Sequence, residues 1–264
     1  VFDVSHMGEF IVKGKHALDM VQRISSNDAS TLAIGQAQYS CLPNETGGIV
    51  DDMLVYRLSE DMCDAGEQAF MLVVNASNIE KDWSHIQSYA KDYEVRMIDI
   101  SEKTGLIAIQ GPMALELLQP LTDIVLSEIE YYHFTKGTFA GIPNVLISAT
   151  GYTGAGGFEL YVDNEHLPTL WDTILGLQQP VQPVAAGLGA RDTLRLEMGF
   201  CLYGNDIDDM TSPLEAGLGW ITKLKKQSDF PSKEIMLKQK KDGVTKKLVG
   251  IKVDDRRVPR HGYP

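Results

Sequence analysis

The sequence has no long apolar run, few cysteines and too little positive charge, and each shortage removes a class of function. No stretch approaches the roughly 18 apolar residues that a membrane-spanning helix needs. Lys and Arg number 24 against 36 Asp and Glu, a formal charge of −12. A nucleic-acid binder needs a basic surface to displace counterions from phosphates, so this balance argues against one. Solubility is the economical reading of the acidity. Cys41, Cys63 and Cys201 are odd in number and far apart, which makes neither a disulfide framework nor a zinc knuckle. Each reads as a small buried hydrophobe in a reducing compartment. His6, His16, His85, His133, His166 and His261 contain no pair at metal-ligand spacing, and no Ser elbow or Cys/His signature is present. Hydrolase and metalloenzyme chemistry therefore start without support.

What is there suits a soluble globular chain. Its 264 residues, 44% hydrophobic and 23% charged, predict two domains with a piece of a third. VFDVSHMGEF carries no signal-peptide pattern and reads like the inside of a domain. Short β-branched and aromatic runs predict strands at 9–12, 54–58, 70–74, 95–100, 106–109, 145–148 and 158–162. Leu54–Leu58 and Phe70–Val74, separated by the acidic loop 59–68, predict a hairpin. Apolar spacing predicts helices at 17–24, 113–118 and 167–177, with Pro112 and Pro168 in first turns. Another follows Asn78 as cap, with Ile79, Trp83, Ile86 and Ala90 on one face. The order β-β-α-β-β-α indicates an α+β unit with an antiparallel or mixed sheet. Thr138–Pro143 reads as a crossing between units, and Lys223–Pro231 as another break.

Four motifs carry candidate chemistry. In GGIVDDMLVY, two glycines allow a tight turn, and alternation places Asp52, Leu54 and Tyr56 on one strand face with Asp51, Met53 and Val55 on the other. A carboxylate and a phenol in an apolar frame make a pocket wall able to hold a proton; a turn capped by Asp side chains is the competing reading. GYTGAGGFEL has the glycines of a phosphate loop, but a strand follows where such a loop needs a helix. It reads as a close backbone approach or a bulged turn, with Glu159 either solvated or aimed into a site. GLGARDTLRLE reads as a turn entering a helix. There Arg191 pairs a ligand carboxylate, or Glu159, or some structural partner, and Leu194 packs on Met198. LYGNDIDD begins like a calcium loop, but position twelve from Asp206 is Gly217, where a bidentate acid is required. Trp220, after two glycines, is a core aromatic or a stacking surface, core being the simpler reading.

Together and in order, FDVSHMGEF, QYSCLPNETGGIVDDMLVYR, VVNASN, IAIQGP, GYTGAGGFELY, ARDTLRLEMGFCLYGND, SPLEAGLGW and KLVGIKVDDRRVPRHGYP resemble the aminomethyltransferase (glycine-cleavage T-protein) family across essentially the whole chain. The chain looks like that family without its first few dozen residues and much of its last domain. The resemblance implies an α+β cloverleaf around a folate channel: a discontinuous folate-binding domain one (residues 1–48 and 141–226) with an antiparallel sheet, an inserted ferredoxin-like α+β domain two (49–140), and the beginning of a truncated, jelly-roll-like C-terminal β domain (227–264). It implies transfer of an aminomethyl-derived one-carbon unit from the lipoyl arm of H-protein to tetrahydrofolate, giving 5,10-methylenetetrahydrofolate and ammonia, with no metal. Asp52 matches the family's catalytic aspartate. Glu159 and Arg191 match positions holding the pterin and neighbouring groups, and Met7, Tyr39, Val73, Asn75, Tyr152 and Trp220 match folate-lining positions, beside Tyr56. The family's usual Arg and acid flanking the TGYTG segment are here Ala149 and Ala155, which predicts a slackened loop. The compartment implied is the cytoplasm in a bacterium or the mitochondrial matrix in a eukaryote. The rival readings are the folate module of sarcosine or dimethylglycine dehydrogenases, whose dinucleotide fingerprint is missing here, and a non-enzymatic folate-binding protein of iron–sulfur maintenance, whose Lys-Gly-Cys-Tyr segment is missing too.

Overall fold

A computed structural model describes residues 1–59, 63–254 and 256–258. His261, the end of the last family-like stretch and part of the 59–68 loop lie outside the described residues.

Two five-stranded antiparallel sheets form the frame. The first has the order β3 (Ala37–Pro43), β4 (Ile49–Arg57), β5 (Gln68–Val74), β2 (Gly8–Gly14), β6 (Val95–Asp99). The second has β1 (Phe2–Asp3), β7 (Thr104–Gln110), β10 (Gly157–Asp163), β9 (Ile142–Ser148), β8 (Phe134–Phe139). The expected hairpin is present as β4–β5, with Leu54 opposite Val73 and Tyr56 opposite Met71. α1 (Ala17–Ile24) buries Ala17, Met20, Val21 and Ile24, the spacing that makes one helical stripe.

Alternation on the strands decides the layering. Phe10, Val12, Met53, Val55 and Phe70 point from the first sheet into a core shared with α1 and α2 (Ile79–Ala90). Ile11, Tyr56, Met71 and Val73 point the opposite way and meet Leu106, Ala108 and Tyr161 of the second sheet. The far face of that sheet, through Ile107, Ile109 and Ile147, packs α3 (Ala114–Leu118) and α4 (Leu167–Leu175). The layers are thus helices, sheet, sheet, helices, an α+β arrangement.

Several expectations need correction. The boundaries at 48/49 and 140/141 fall inside sheets: β3 pairs β4 from Ala37↔Tyr56 to Pro43↔Ile49, and β8 pairs β9 from Phe134↔Ser148 to Phe139↔Ile142. Thr138–Pro143 is not a crossing but the turn of that second hairpin, where Ala140 (φ 51) and Gly141 (φ 77) take the left-handed conformations of a tight connection. The expected β-β-α-β-β-α unit is divided, because β7 joins the second sheet. With Leu106 and Ala108 on one face and Ile107 and Ile109 on the other, both faces of β7 are apolar, and its local pattern does not say which sheet it enters. Asn78 occupies the N-cap of α2, but its side chain makes no cap bond; its amide donates to Asp51 at 2.8 Å. The Lys223–Pro231 stretch is packed, not open, since buried Lys226 donates to the carbonyls of Gln22, Ser25 and Asn27 at the end of α1. Among the described residues after 227 there is one helix, α6 (Lys233–Asp242), and no strand where a β domain was expected to begin.

Phe10 is fully buried and sets its ring edge-to-face on Trp83, with centroids 5.1 Å apart. Phe10→Ala is expected to lower the unfolding free energy by about 3–5 kcal/mol in urea titrations, the cost of a large aromatic cavity. A loss below about 1 kcal/mol would show that this layer is not a close-packed core.

Candidate functional site

The site begins at the β3–β4 turn. The Asn44 side chain accepts from the Gly48 N–H and from Thr46, which closes the turn, and Gly47 takes φ +101. A Cβ on Gly48 would lie 1.8 Å from the Asp209 carbonyl oxygen, so only glycine lets the 205–211 loop approach. The turn releases β4 so that Asp51 faces α2 and Asp52 faces away from it, as alternation predicts.

A cavity of about 1050 Å³ opens on that second side, between the two sheets and α5 (Leu188–Glu197). Strands β3, β4 and β5 bring Tyr39, Asp52 and Val73 to it, and Asn75 follows from the end of β5. Met7 enters from the turn before β2, and Glu159 from β10. Arg191 from α5, Tyr152 from the glycine-rich loop and Trp220 join them, which brings together every expected residue but Tyr56.

Asp52 is held from two sides: the Tyr39 hydroxyl donates to Oδ2 at 2.7 Å, and the Asn75 amide donates to Oδ1 at 2.9 Å. Burial raises its pKa to about 7, and the neighbouring Asp51 adds to the rise, while the two donors oppose it. At neutral pH such a carboxyl exchanges a proton readily, which is what acid–base work requires. Glu159 is buried within the β10 strand and accepts from the Thr150 hydroxyl. Burial pushes its pKa up, against the pull of Thr150 and of Arg191. Arg191 lies over the Tyr152 ring at 4.8 Å, and that ring stacks on Phe200 at 5.9 Å and 20°. Arg191 acts on Glu159 through its charge, and both side chains line the cavity.

Three readings change. Tyr56 shares the strand face of Asp52 but does not line the cavity: it is fully buried between the sheets, with its hydroxyl within 3.1–3.2 Å of those of Tyr161, Ser148 and Thr150. Trp220 is not core; it is 62% exposed at the rim, tilted against Tyr39 at 6.1 Å. Leu194 and Met198 do not bury each other, being 37% and 49% exposed, and Met198 instead sits beside Gly154. Ala149 and Ala155 both border a second cavity of about 470 Å³ across the glycine-rich loop. That loop nonetheless has bonds of its own, since Gln110 accepts from the Thr153 hydroxyl and donates to the Thr150 carbonyl.

Other residues were missed. Arg195, buried, donates to Asp192, to Asp206 and to the Phe200 carbonyl, and so shapes the 200–206 loop. That loop places Phe200, Cys201 and Tyr203 on the cavity wall. These lie in a stretch already singled out; the pairing of Arg195 with Asp206, eleven residues on, was the unread signal. His6, Tyr131 and Tyr132 also border the cavity, and no local pattern announces them.

The family model for the GCVT N-terminal domain matches residues 1–226. An aminomethyltransferase of Flavobacterium psychrophilum is 55% identical over 263 residues, covering 100% of this chain and 70% of the relative. That of Phocaeicola vulgatus is 54% identical, over 100% of this chain and 71% of the relative. Among solved structures, glycine cleavage system aminomethyltransferase T from Bartonella henselae superposes with a TM-score of 0.80 at 33% identity, over 92% of this chain and 63% of that one.

A carboxyl whose pKa is raised on folding contributes stability that is full below its ordinary value, 3.8, and is lost as pH rises through about 7. Asp52→Asn removes that loss. Its melting temperature relative to the unsubstituted protein is expected to be higher at pH 8 than at pH 5; an equal difference at both would show that Asp52 is not buried as described.

Proposed function

The chain belongs to the glycine-cleavage aminomethyltransferase (GCVT) family, and we propose that it passes an aminomethyl-derived one-carbon unit from the lipoyl arm of an H-protein to tetrahydrofolate. The observation that supports this most is Asp52 on the wall of an aromatic-lined cavity, with Glu159 and Arg191 also on it. At about 1050 Å³ the cavity is just above the roughly 300–1,000 Å³ usual for small-molecule sites, which suits a pterin with its aminobenzoyl extension.

The chemistry balances without a metal or a redox partner. Folate N5 and N10 form bonds to the methylene carbon, the carbon–sulfur and carbon–nitrogen bonds break, and ammonia and a free lipoyl thiol leave. Two protons must move, one from each folate nitrogen, one ending on sulfur and one on ammonia. Asp52 is the group to accept and return a proton as N5 attacks, and as a carboxylate it stabilises a cationic, iminium-like methylene. Glu159 accepts from the N–H donors of the pterin edge. Tyr152, held under Arg191, and Tyr39 with Trp220 offer flat faces for the ring and its extension. Tyr56 acts behind the wall, through the hydroxyl cluster that includes Thr150, the residue that donates to Glu159.

In this reading the cavity is the folate channel of a cloverleaf, and the cytoplasm is the compartment implied by the bacterial relatives. No helix among the described residues is long and apolar enough to cross a membrane. Relatives at 54–55% identity that carry the aminomethyltransferase name favour this activity over the dehydrogenase-module and iron–sulfur readings.

Asp52→Ala is expected to lower kcat for methylenetetrahydrofolate formation by about 10²–10⁴-fold, the range for a removed acid–base group. Glu159→Ala is expected to act mainly on the tetrahydrofolate KM. Full turnover by Asp52→Ala, measured with aminomethyl-loaded H-protein, would overturn the assignment.

A further inference from the structure

Behind Asp52, on the side of the sheet away from the cavity, lies a second group of acids that the reaction above does not use. Asp51 is fully buried. It accepts the Asn75 backbone N–H at 2.9 Å, the Asn75 side-chain amide at 2.8 Å and the Asn78 amide at 2.8 Å. The same Asn75 nitrogen donates to Asp52 at 2.9 Å. One carboxamide therefore spans the end of the strand and ties the acid facing α2 to the acid facing the cavity. Asp82, in the first turn of α2, is also fully buried, and neither of its oxygens has a hydrogen-bond donor among the described residues.

Asp82 lies four residues, one helical turn, along α2 from Asn78, whose amide is bound to Asp51, so its buried carboxyl is on the helical face that meets Asp51. Two ionised carboxylates cannot hydrogen-bond to each other, and leaving both charged and buried side by side is costly. One proton shared by the pair removes the repulsion and supplies a donor. Asp51 already accepts three N–H groups and Asp82 accepts none, so the donor in the bond between them is assigned to Asp82.

Resting on the proposed activity, we propose that Asp82 and Asp51 are positioning residues for the transfer: the Asp82 carboxylic acid donates to Asp51, and Asp51 thereby fixes the Asn75 carboxamide that holds Asp52 in the cavity. Burial and the neighbouring Asp51 push the Asp82 pKa up to about 10, in agreement with a neutral acid at working pH. The other titratable or charged groups around these acids are Tyr39 and Cys41 on β3, Lys81 on α2, and Tyr152, Arg191, Cys201 and Tyr203 around the cavity. None of them supplies Asp82 with a donor.

Carbon-13 NMR of the protein labelled at its aspartate carboxyls, with assignments from Asp51→Asn and Asp82→Asn, tests the proton directly and needs no turnover. The Asp82 carboxyl is expected to stay protonated beyond about pH 8; a midpoint near the ordinary carboxylate value of about 4 would overturn the proposal. In transfer assays, Asp82→Ala is expected to lower kcat about tenfold with the tetrahydrofolate KM changed less than about twofold, as for a displaced rather than a lost catalytic group. The limb of the pH–rate profile that reports Asp52 is expected to move upward, since a loosened Asn75 no longer favours the charged carboxylate. Asp82→Asn, whose amide still donates to Asp51, is expected to restore rate and limb. Impairment of Asp82→Asn equal to that of Asp82→Ala, or an unshifted limb in Asp82→Ala, would overturn the proposal. If Asp82→Ala does not fold, Asp82→Leu, nearer in size and equally without a donor, decides on the same two readouts. An unsubstituted protein without transfer activity would bear on the proposed function, and the NMR titration would still decide where the proton sits.

Discussion

The structure depends on the face-to-face packing of its two antiparallel sheets. Ile11, Met71 and Val73 from one sheet meet Leu106 and Ala108 from the other. Burial of this apolar surface brings Asp52 and Glu159, 107 positions apart, to the wall of one cavity. The same layer buries the hydroxyls of Tyr56, Tyr161, Ser148 and Thr150, which satisfy one another and form the polar floor on which Glu159 rests. If the sheets did not close, β4 would carry an acid on a solvated face and nothing more.

Within that frame, local devices set the chemistry. Gly48 lets the 205–211 loop touch the β3–β4 turn, and Arg195 folds the 200–206 loop over the cavity. The site is therefore built from a rigid sheet on one side and loops pinned by single residues on the other. Adjacent acids then serve different ends. Asp52 looks into a ligand-sized space, whereas Asp51 is surrounded by amides and by α2. One peptide bond separates them, and strand alternation gives them different solvents.

Much of this was legible in the sequence. Period-two alternation from Asp52 to Tyr56 assigned the faces correctly, because a strand with one face on helices and the other on a sheet cannot slip by one residue. The helices α1, α2 and α4 were legible from their apolar stripes. The short β1, the β8 strand with its Lys and Thr, and the boundary between the sheets were not. β8 is an edge strand whose sequence is too polar to stand out, and β7 is apolar on both faces.

By itself, the sequence determined the strands and helices with strong periodicity, the acid on the open face of β4, and the motifs that mark the family. Tertiary structure alone decided which sheet each strand joined, that Tyr56 lies behind the wall and Trp220 at its rim, and that Asn78 serves Asp51 instead of capping its helix. The reason is the same in each case. Periodicity reports which face of an element is apolar, but the partner that covers that face comes from distant parts of the chain. Hydrogen bonds such as those of Asn75, Asn78 and Arg195 exist only after that partner has arrived.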